Sequence, residues 1–298
     1  MTQRVKVILN PITGRPNGTA KIAKIELALQ QAQLDYSLVV TEYPQHGIEL
    51  ARQAVLEGWP MIAAAGGDGT VNEVVNGIMQ IDEDESDKPT LGIIPTGTAN
   101  DLAAMLQLPK DIQGACQRLA VGESKLIDVG QVNDYFFVNN SAVGLESVVT
   151  VTQQKMRWIK GIFSYIVAAT GSILTAKNWE VQVDWPSGCY EGPAILVSVG
   201  NSARTGGVFY MTPEAVVDDG LLDFVYGAGM SRWRMVTLLP RLLRGSHISH
   251  SMVIYRKTKQ LKITTSPPTP IQADGEIIDH EATEISYTII PKKLQVII

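Results

Sequence analysis

The sequence predicts two domains, an α/β domain built on a parallel sheet and, after it, a mainly β domain of the sandwich type. Over residues 1–125, apolar strand patterns alternate with helical patterns, which is typical of a parallel sheet covered by helices. Over residues 126–290, short β-rich segments are separated by turn residues, which is typical of an antiparallel sandwich or barrel. A chain of 298 residues is long enough for two such cores.

The elements of the first domain follow from the spacing of its apolar residues. We expect two strands, two helices and two strand–loop–helix units, over residues 5–9, 36–41, 17–31, 47–56, 61–79 and 91–106. This alternation predicts a Rossmann-like sheet, in which the loops after the strands share the edge where ligands bind. A last strand over residues 294–298 is expected to return, so that residues 291–298 would belong to this domain.

Composition predicts nine strands in the second domain, over residues 125–132, 135–143, 179–185, 194–200, 222–227, 251–256, 260–265, 272–277 and 284–290. Two helical stretches interrupt them, over residues 152–176 and 231–245. Both stretches combine basic residues with aromatic and aliphatic ones. Such helices either lie in a lipid headgroup region or pack on the β domain with a solvated basic face, so peripheral membrane contact stays open.

Overall composition limits the classes of function. A net charge of −5 argues against a nucleic-acid partner. Cys116 and Cys189 lie far apart without metal-site spacing, so we expect inert thiols in a reducing cytoplasm. The first residues lack the pattern of a signal peptide, and the uncharged stretch 161–176 is shorter than the roughly 20 residues of a spanning helix. We therefore expect a cytoplasmic protein, while the sequence leaves its oligomeric state open.

The most informative motif is GGDGT, residues 66–70, which follows an apolar strand and leads into a helix. The helix prediction rests on Val71, Val74, Val75 and Ile78, which share one face. Glycines allow the backbone to approach an anion, and the free N–H groups at the start of a helix face it. The motif therefore predicts a phosphate site, although the same residues also occur in ordinary tight turns.

A second loop, PTGTAND over residues 95–101, repeats this design after the next apolar strand. Asn100 or Asp101 stands where a helix N-cap is expected. Neither loop matches the GxGxxG fingerprint or the Walker A motif. Two such loops at one sheet edge predict a binding surface for a polyphosphate.

Together GGDGT, GTAND at residues 97–101, NPITG at residues 10–14 and DGE at residues 274–276 closely resemble the motifs of the bacterial diacylglycerol kinase family, a lipid kinase branch of the NAD kinase-like superfamily. The motifs span nearly the whole chain. The resemblance implies an ATP-dependent kinase that phosphorylates a lipid hydroxyl, first of all that of diacylglycerol to give phosphatidic acid. It also implies an ATP-binding first domain, a lipid-binding second domain and an active site in the cleft between them.

By the same resemblance a set of residues would contact ATP. These are Asn10, Pro11, Ile12, Thr13, Gly14, Thr41, Gly66, Gly67, Asp68, Gly69, Thr70, Val71, Asn72, Glu73, Gly97, Thr98, Asn100, Asp101 and Glu276. Phosphoryl transfer needs positioning and charge neutralisation, and the chain has no P-loop lysine. Mg²⁺ near Asp68 or Asp101 would serve instead, because Mg²⁺ prefers carboxylates together with phosphate oxygens and water.

The remaining roles are also implied by the resemblance. Asp274 would be the general base that takes the proton from the lipid hydroxyl, although Asp-Gly is also a routine turn. A structural Mg²⁺ would be held by Asp219 and by the backbone carbonyls of Val216 and Leu221, with an acidic hairpin turn as the alternative. Asp128 would support the active-site network through water.

The sequence is also compatible with functions other than phosphorylation of diacylglycerol. The acceptor can be monoacylglycerol, phosphatidylglycerol or a sphingoid base instead of diacylglycerol. NAD kinases share GGDGT, but GTAND, NPITG and DGE together resemble the lipid branch. A nucleotide-binding protein without catalysis is the alternative from another class, although all the expected acids are present.

Overall fold

The computed structural model describes residues 3–12, 18–81, 88–155, 162–176 and 178–298. Two of the predicted ATP contacts, Thr13 and Gly14, lie outside these residues. The chain divides into two compact units, of which the first comprises Met1–Ile127 with Lys292–Ile298 and the second comprises Asp128–Pro291.

The strands and helices of the first unit alternate along the chain. They are β1 (Arg4–Leu9), α1 (Gly18–Gln31), β2 (Asp35–Val40), α2 (His46–Leu56), β3 (Met61–Gly66), α3 (Asp68–Met79), β4 (Thr90–Pro95), α4 (Asp101–Met105) and α5 (Ile112–Val121). The strand order is β2-β1-β3-β4, and each neighbouring pair is parallel. Near the end of the chain, Val296 pairs in parallel with Leu91 of β4.

Packing in this unit follows the predicted apolar faces. Val71, Val74, Val75 and Ile78 of α3 are all buried, as the helical spacing predicted. Strand β3 is buried along its whole length, because helices cover both faces of a parallel sheet. Helix α5 was not predicted. Its buried residues Ala115, Cys116 and Leu119 are few, and its clearest sequence marker is the N-cap Asp111, which accepts a hydrogen bond from the Gly114 amide.

The second unit consists mainly of strands. They are β5 (Ser124–Val132), β6 (Tyr135–Phe137), β7 (Asn140–Gly144), β8 (Trp179–Trp185), β9 (Gly188–Gly200), β10 (Leu222–Ala228), β11 (Val253–Thr258), β12 (Gln260–Ala273) and β13 (Glu276–Ile297). Its helices are α6 (Leu145–Lys155), α7 (Ile162–Thr175) and α8 (Arg232–Leu242), with a short 3₁₀ turn at Ser246–Ser249. Antiparallel strand pairs include β7–β9, β7–β12, β8–β9, β8–β12, β9–β10, β10–β11 and β12–β13. The predicted β-rich second domain is thereby confirmed.

Several boundaries differ from prediction, among them the split of the predicted strand 135–143 into β6 and β7. The predicted helix over residues 152–176 is two helices, α6 and α7, and residues 156–161 lie outside the described part. The predicted segment 260–265 lies in β12, which continues to Ala273 through register shifts near three prolines, whereas the predicted segment 272–277 spans the turn between β12 and β13. β13 runs for 22 residues and includes the predicted segment 284–290 and the predicted strand 294–298 up to Ile297. The full length of these strands was not predicted because they contain polar residues, which are common on an exposed strand face.

Helix length bears on membrane association. Among the described helices, none combines the length and the apolarity that crossing a bilayer would require.

Candidate active site

The two glycine loops of the first unit touch through their glycines. The Thr96 and Gly97 amides both donate to the Gly66 carbonyl, at 2.8 and 3.2 Å. A Cβ on Gly97 would lie 2.4 Å from the Gly67 Cα, and a Cβ on Gly67 would lie 3.2 Å from the Gly97 Cα. The sequence motif implied that glycine is needed for approach to an anion. The structure adds a second reason, since any side chain at residue 97 would force the loops apart.

Asp68 ties the same two loops together. Its Oδ1 accepts a hydrogen bond from the Asp101 amide at 2.5 Å, at the start of α4. Burial raises the pKa of the Asp68 carboxyl, while backbone N–H groups of Asp101, Asn100 and Leu102 act in the opposite direction. A carboxylate at the N-terminal end of a helix is stabilised by the free N–H groups there. Asp68 therefore has a structural role that the sequence did not reveal.

Asn100 fixes the shape of the second loop. It adopts a left-handed backbone conformation with φ 48°. Its Oδ1 accepts from the Gly97 amide at 3.1 Å, and its Nδ2 donates to the Gly97 carbonyl at 3.0 Å. Asn tolerates this conformation better than most residues because its short polar side chain bonds locally. Thr98 is left exposed at the tip of the loop, while Asp101 is buried.

Glu73 joins α3 to the start of α2. Its two carboxylate oxygens accept from the Gln45 amide at 3.1 Å and from the Gly47 amide at 3.0 Å. Burial raises the pKa of Glu73, and these two hydrogen bonds oppose that shift. The carboxylate caps the first turn of α2, which has no side-chain cap of its own. The predicted ATP contact of Glu73 stays a prediction, and its observed partners are backbone amides.

The side chains at the start of α3 point into the core. Thr70, Val71 and Asn72 are each at most 4% exposed. The Asn72 side-chain oxygen accepts from Asn76 Nδ2 at 3.2 Å, one turn along the helix. Any ligand at this loop would therefore meet backbone N–H groups of the loop more than these side chains, as expected of a helix N-terminus.

The end of β1 brings in a lysine that the sequence did not single out. Asn10 Oδ1 accepts from the Ile12 amide at 3.0 Å, which bends the chain directly after the strand. Lys21 of α1 donates from Nζ to the Asn10 carbonyl at 3.5 Å, and burial lowers the pKa of this lysine. Thr41, at the end of the neighbouring β2, is mostly buried and donates its amide to the Leu9 carbonyl. A cation thus lies beside the predicted nucleotide loop.

In the second unit, Asp274 holds the chain between β6 and β7. Its Oδ2 accepts from the Val138 amide at 2.9 Å, and its Oδ1 accepts from the Asn139 and Asn140 amides at 2.8 and 3.0 Å. A carboxylate has about four lone-pair sites, so three backbone donors engage most of its accepting capacity. Asp274 is 7% exposed and has a left-handed backbone with φ 47°.

Glu276 lies two residues further on, in a different environment. It is exposed at the start of β13, and Gln154 Nε2 lies 3.5 Å from its Oε2. The same Gln154 nitrogen lies 3.4 Å from the Gly275 carbonyl. Gly275 has φ 87°, so the Asp-Gly pair forms a tight turn between β12 and β13. The turn therefore separates the Asp274 carboxylate, which is bound to backbone amides, from the exposed Glu276 carboxylate.

Glu146, which belongs to none of the predicted sites, is buried near this turn. Gly144 ends β7 with φ 78°, and a Cβ there would lie 2.7 Å from the Ile195 carbonyl oxygen, so only glycine allows the chain to turn into α6. Glu146 Oε1 accepts from Asn140 Nδ2 at 2.7 Å and from Gln272 Nε2 at 3.4 Å. An acid in the first turn of a helix after a glycine was the available marker.

Burial raises the pKa of Glu146 to about 7, with Ser198 and Asn140 acting in the opposite direction. In the unfolded chain this carboxyl has its ordinary lower pKa, so the folded state binds the proton more tightly. The free energy of unfolding therefore falls as pH rises through the window between the two pKa values, by up to about 3 kcal/mol.

We expect Glu146→Gln to remove this dependence, because an amide does not titrate. Urea unfolding near pH 5 and near pH 8 measures it as the difference between wild type and variant. Equal pH slopes in the two proteins would show that burial does not raise the pKa of Glu146. Burial lowers the pKa of His247, which gives a pH dependence of the opposite sign, and the comparison with the variant removes that contribution.

Asp219, one of the three residues predicted to hold a structural metal, lies beside a lysine. Asp219 Oδ1 accepts from the Leu221 amide at 3.0 Å, and Asp219 Oδ2 lies 3.5 Å from Lys257 Nζ. The same ammonium lies 3.2 Å from Asp223 Oδ1 and donates to the Glu214 carbonyl at 2.9 Å. The Lys257 ammonium therefore offsets one of the two negative charges of Asp219 and Asp223 and would compete with a metal, while the predicted metal site stays a prediction. No group of three or more metal-ligating side chains occurs among the described residues.

We expect chelation by EDTA to leave the melting temperature of the wild-type protein within about 1 °C of its value in Mg²⁺. In Lys257→Met the two aspartates lose their ammonium, so millimolar Mg²⁺ should raise the melting temperature of this variant. A clear fall in wild-type melting temperature with EDTA would support the predicted metal site instead.

Asp128 fixes the loop that carries Asp219. Its Oδ2 accepts from the Gly220 amide at 2.6 Å, and its amide donates to the Val217 carbonyl at 2.7 Å. Asp128 is fully buried. These contacts are structural, and the predicted supporting role through water stays a prediction.

Comparisons with known proteins agree with this geometry. Residues 4–132 match the family model of the diacylglycerol kinase catalytic domain, and residues 139–298 match that of the YegS C-terminal NAD kinase beta sandwich-like domain. Diacylglycerol kinases of Staphylococcus aureus strains bovine RF122 / ET3-1 and MRSA252 are each 30% identical over 277 residues, which cover 93% of this chain and 87% of theirs.

Solved structures share the fold. A diacylglycerol kinase of Bacillus anthracis str. Sterne superposes with a TM-score of 0.77 at 22% identity, over 99% of this chain and 96% of that one. An NAD kinase of Archaeoglobus fulgidus, solved in complex with ATP, has a TM-score of 0.52 at 13% identity, over 99% of this chain and 93% of that one. These two likenesses concern the fold alone.

The fold, with its two joined glycine loops and β-rich second domain, is that of the ATP-dependent lipid kinases. More particularly, this chain belongs to the diacylglycerol kinase family.

Proposed function

We propose that the protein transfers the γ-phosphoryl group of ATP to the hydroxyl of a lipid, with diacylglycerol as the first candidate and phosphatidic acid as its product. The observation that carries the lipid assignment is an apolar cavity of about 100 Å³ in the second unit. Leu145, Val149 and Leu238 are among its lining residues, and all three are buried. An aliphatic chain fits such a lining, whereas the polar body of NAD does not.

In the first unit, the loops at residues 66–70 and 96–101 would bind the ATP phosphates through backbone N–H groups. Asp68 and Asp101 lie in adjoining loops, so their carboxylates would hold Mg²⁺ directly or through water. When bound, Mg²⁺ would neutralise phosphate charge during transfer. Asp68 itself would hold the two loops together.

For the base, accessibility to the substrate favours Glu276 over Asp274. A general base must reach the substrate proton, and Asp274 is 7% exposed with three backbone amides bound to its carboxylate. Glu276 is exposed and two residues away. We therefore propose that Glu276 accepts the hydroxyl proton and that Asp274 holds the turn from which Glu276 projects.

A radiolabelled ATP assay tests the function. The panel comprises diacylglycerol, monoacylglycerol, phosphatidylglycerol, a sphingoid base and NAD, with products separated by head group. We expect transfer to a lipid and none to NAD. Transfer to NAD alone would indicate an NAD kinase, and ATP binding without transfer to any acceptor would indicate a non-catalytic protein.

Helix α8 supports peripheral contact with an anionic membrane. Trp233 is 70% exposed on its outer face, while Met235 and Leu238 are buried on the inner face. The exposed residues Arg234, Arg241 and Arg244 add positive charge to the same segment. Each such charge near an anionic surface contributes about 1 kcal/mol, so three together matter.

We expect more protein to co-sediment with anionic vesicles than with neutral ones, and less as salt rises. Replacing Arg234, Arg241 and Arg244 with Gln should abolish the difference. A charge-matched control replaces Lys24, Arg52 and Lys110, which are exposed in the first unit. Equal loss in both variants would indicate a net-charge effect and not docking by α8.

A further inference from the structure

A cluster of buried polar side chains lies beside the turn at residues 274–276 of the second unit. Its members come from β7, α6, β9, β12 and the segment after β9, and each is at most 8% exposed. They are Asn140, Glu146, Ser198, Thr205 and Gln272. Thr205 donates from Oγ1 to Asn140 Oδ1 at 2.9 Å, and the Ser198 hydroxyl neighbours the Glu146 carboxyl. Burying polar groups is unfavourable unless they are hydrogen-bonded, so the bonds within the cluster determine how each side chain is oriented.

Two hydrogen-bonded routes lead from Glu146 to this turn. Asn140 Nδ2 donates to Glu146 Oε1 at 2.7 Å, and the Asn140 backbone amide donates to Asp274 Oδ1 at 3.0 Å. Gln272 Nε2 donates to the same Oε1 at 3.4 Å, and Gln272 Oε1 accepts from the Gly275 amide at 2.9 Å. A side-chain amide has one donating end and one accepting end. Because Glu146 takes the donating end of Gln272, the accepting end faces the Gly275 N–H.

The backbone of the turn depends on such contacts. Asp274 and Gly275 both have a left-handed conformation, with φ 47° and 87°. A residue other than glycine is strained in this conformation and keeps it only where surrounding groups hold it. Glu276 follows directly and begins β13, so the orientation of the Gly275 peptide determines where the Glu276 side chain starts.

We propose that Glu146 is a positioning residue for phosphoryl transfer. Its carboxyl group orients Asn140 and Gln272, and through them it fixes the turn from which the proposed base projects. Glu146 itself is buried and acts without touching the substrate. This inference rests on the proposed lipid kinase function and deepens it, because it names the group that holds the base in place.

A pair of substitutions at residue 146 tests this role in steady-state kinetics. Glu146→Leu removes the acceptor for both amides, so kcat should fall about tenfold or more, while KM for ATP and for the lipid changes little. Glu146→Gln keeps an accepting oxygen and presents its NH₂ to the Ser198 hydroxyl, so kcat should stay within about twofold of wild type. An equal loss of kcat in both variants would overturn the proposal.

Thr265→Val is the matched control for a merely structural effect. Thr265 is buried in the same strand as Gln272, and its hydroxyl donates to the Ala282 carbonyl at 3.2 Å. The variant loses one buried hydrogen bond away from the cluster, so its melting temperature should fall while kcat stays at the wild-type value. A loss of kcat equal to that of Glu146→Leu would show that destabilisation of the second unit explains both, and would overturn the proposal.

A double-mutant cycle tests whether Glu146 acts through Gln272. Gln272→Leu interrupts the second route and should also lower kcat. If the two residues act in one route, Glu146→Leu with Gln272→Leu should be no slower than the slower single variant. Multiplied losses of kcat in the double variant would show independent effects and would overturn this route.

Hydrogen exchange measured by NMR, without ATP or lipid, separates this inference from the proposed function. Protection of the Gly275 amide should fall about tenfold in Glu146→Leu and in Gln272→Leu, the effect of one hydrogen bond, and should persist in Glu146→Gln and Thr265→Val. The Ile289 amide, which is hydrogen-bonded further along β13, is the internal reference. Unchanged Gly275 protection in Glu146→Leu would overturn the inference alone. The expected loss of protection in an enzyme that phosphorylates no lipid would overturn the proposed function and support the route from Glu146 to the turn.

Discussion

Glu276→Gln is expected to reduce phosphoryl transfer to lipid by at least about a hundredfold, the usual contribution of a general base. The substitution keeps the size of the side chain and removes its capacity to take a proton. Because Glu276 is exposed, the melting temperature should stay within about 1 °C of the wild-type value. Steady-state kinetics with ATP and the preferred lipid, together with calorimetric unfolding, measure both quantities.

Asp274→Asn is the matched comparison, and we expect it to act through the fold. The variant replaces one carboxylate oxygen with an NH₂ group, which must face a backbone amide that formerly donated to Asp274. Each buried donor left without an acceptor costs about 1–3 kcal/mol. The melting temperature should therefore fall together with activity. If Asp274→Asn instead abolishes transfer at unchanged stability, while Glu276→Gln retains more than a tenth of wild-type activity, the base is Asp274.

Gly97→Val is expected to abolish ATP binding and to destabilise the first unit by about 3 kcal/mol, the upper range for overpacking. A Cβ at residue 97 would lie 2.4 Å from the Gly67 Cα and 2.8 Å from Asn100 Oδ1. The backbone atom cannot yield as a flexible side chain would, so the two loops must separate. Calorimetric titration with ATP and urea unfolding measure the two effects.

Gly171→Ala is the control for a general glycine effect. Gly171 lies within α7, and a Cβ there would meet no atom of the described residues within 4 Å. Alanine favours helix by about 1 kcal/mol relative to glycine, so this variant should be neutral or more stable and should bind ATP normally. ATP binding that persists in Gly97→Val would show that the second loop is not part of the nucleotide site.

Local sequence patterns were sufficient to predict features that lie within a single helix or strand. The spacing of Val71, Val74, Val75 and Ile78 predicted which face of α3 is buried, because helical periodicity depends on neighbouring residues alone. The change in composition near residue 124 predicted a β-rich second domain for a similar reason. Helix α5 was not predicted because too few of its residues are large and apolar to indicate which face is buried.

The partners of the charged residues were not predictable. Asp68 bonds to an amide 33 residues away, and Asp274 bonds to amides 134 to 136 residues away. The motif DGE suggested a base at its first acid, and this assignment stays a prediction, because a motif records residue types and not the hydrogen-bond partners of each acid. Glu146 and Lys257 belong to none of these motifs, so only their contacts in the folded structure indicate their roles.

The sequence by itself determined the kind of protein, namely an α/β domain with two glycine loops, a β-rich domain and the motifs of a lipid kinase. Those features are local, because turns, helix starts and strand patterns are specified by residues close together in the chain. Only the tertiary structure decided which carboxylates are bound to backbone amides, which carboxyl group is buried and which cation lies beside Asp219. Burial and long-range hydrogen bonds set the proton affinity and accessibility of a carboxyl group, and both arise only when distant segments pack together.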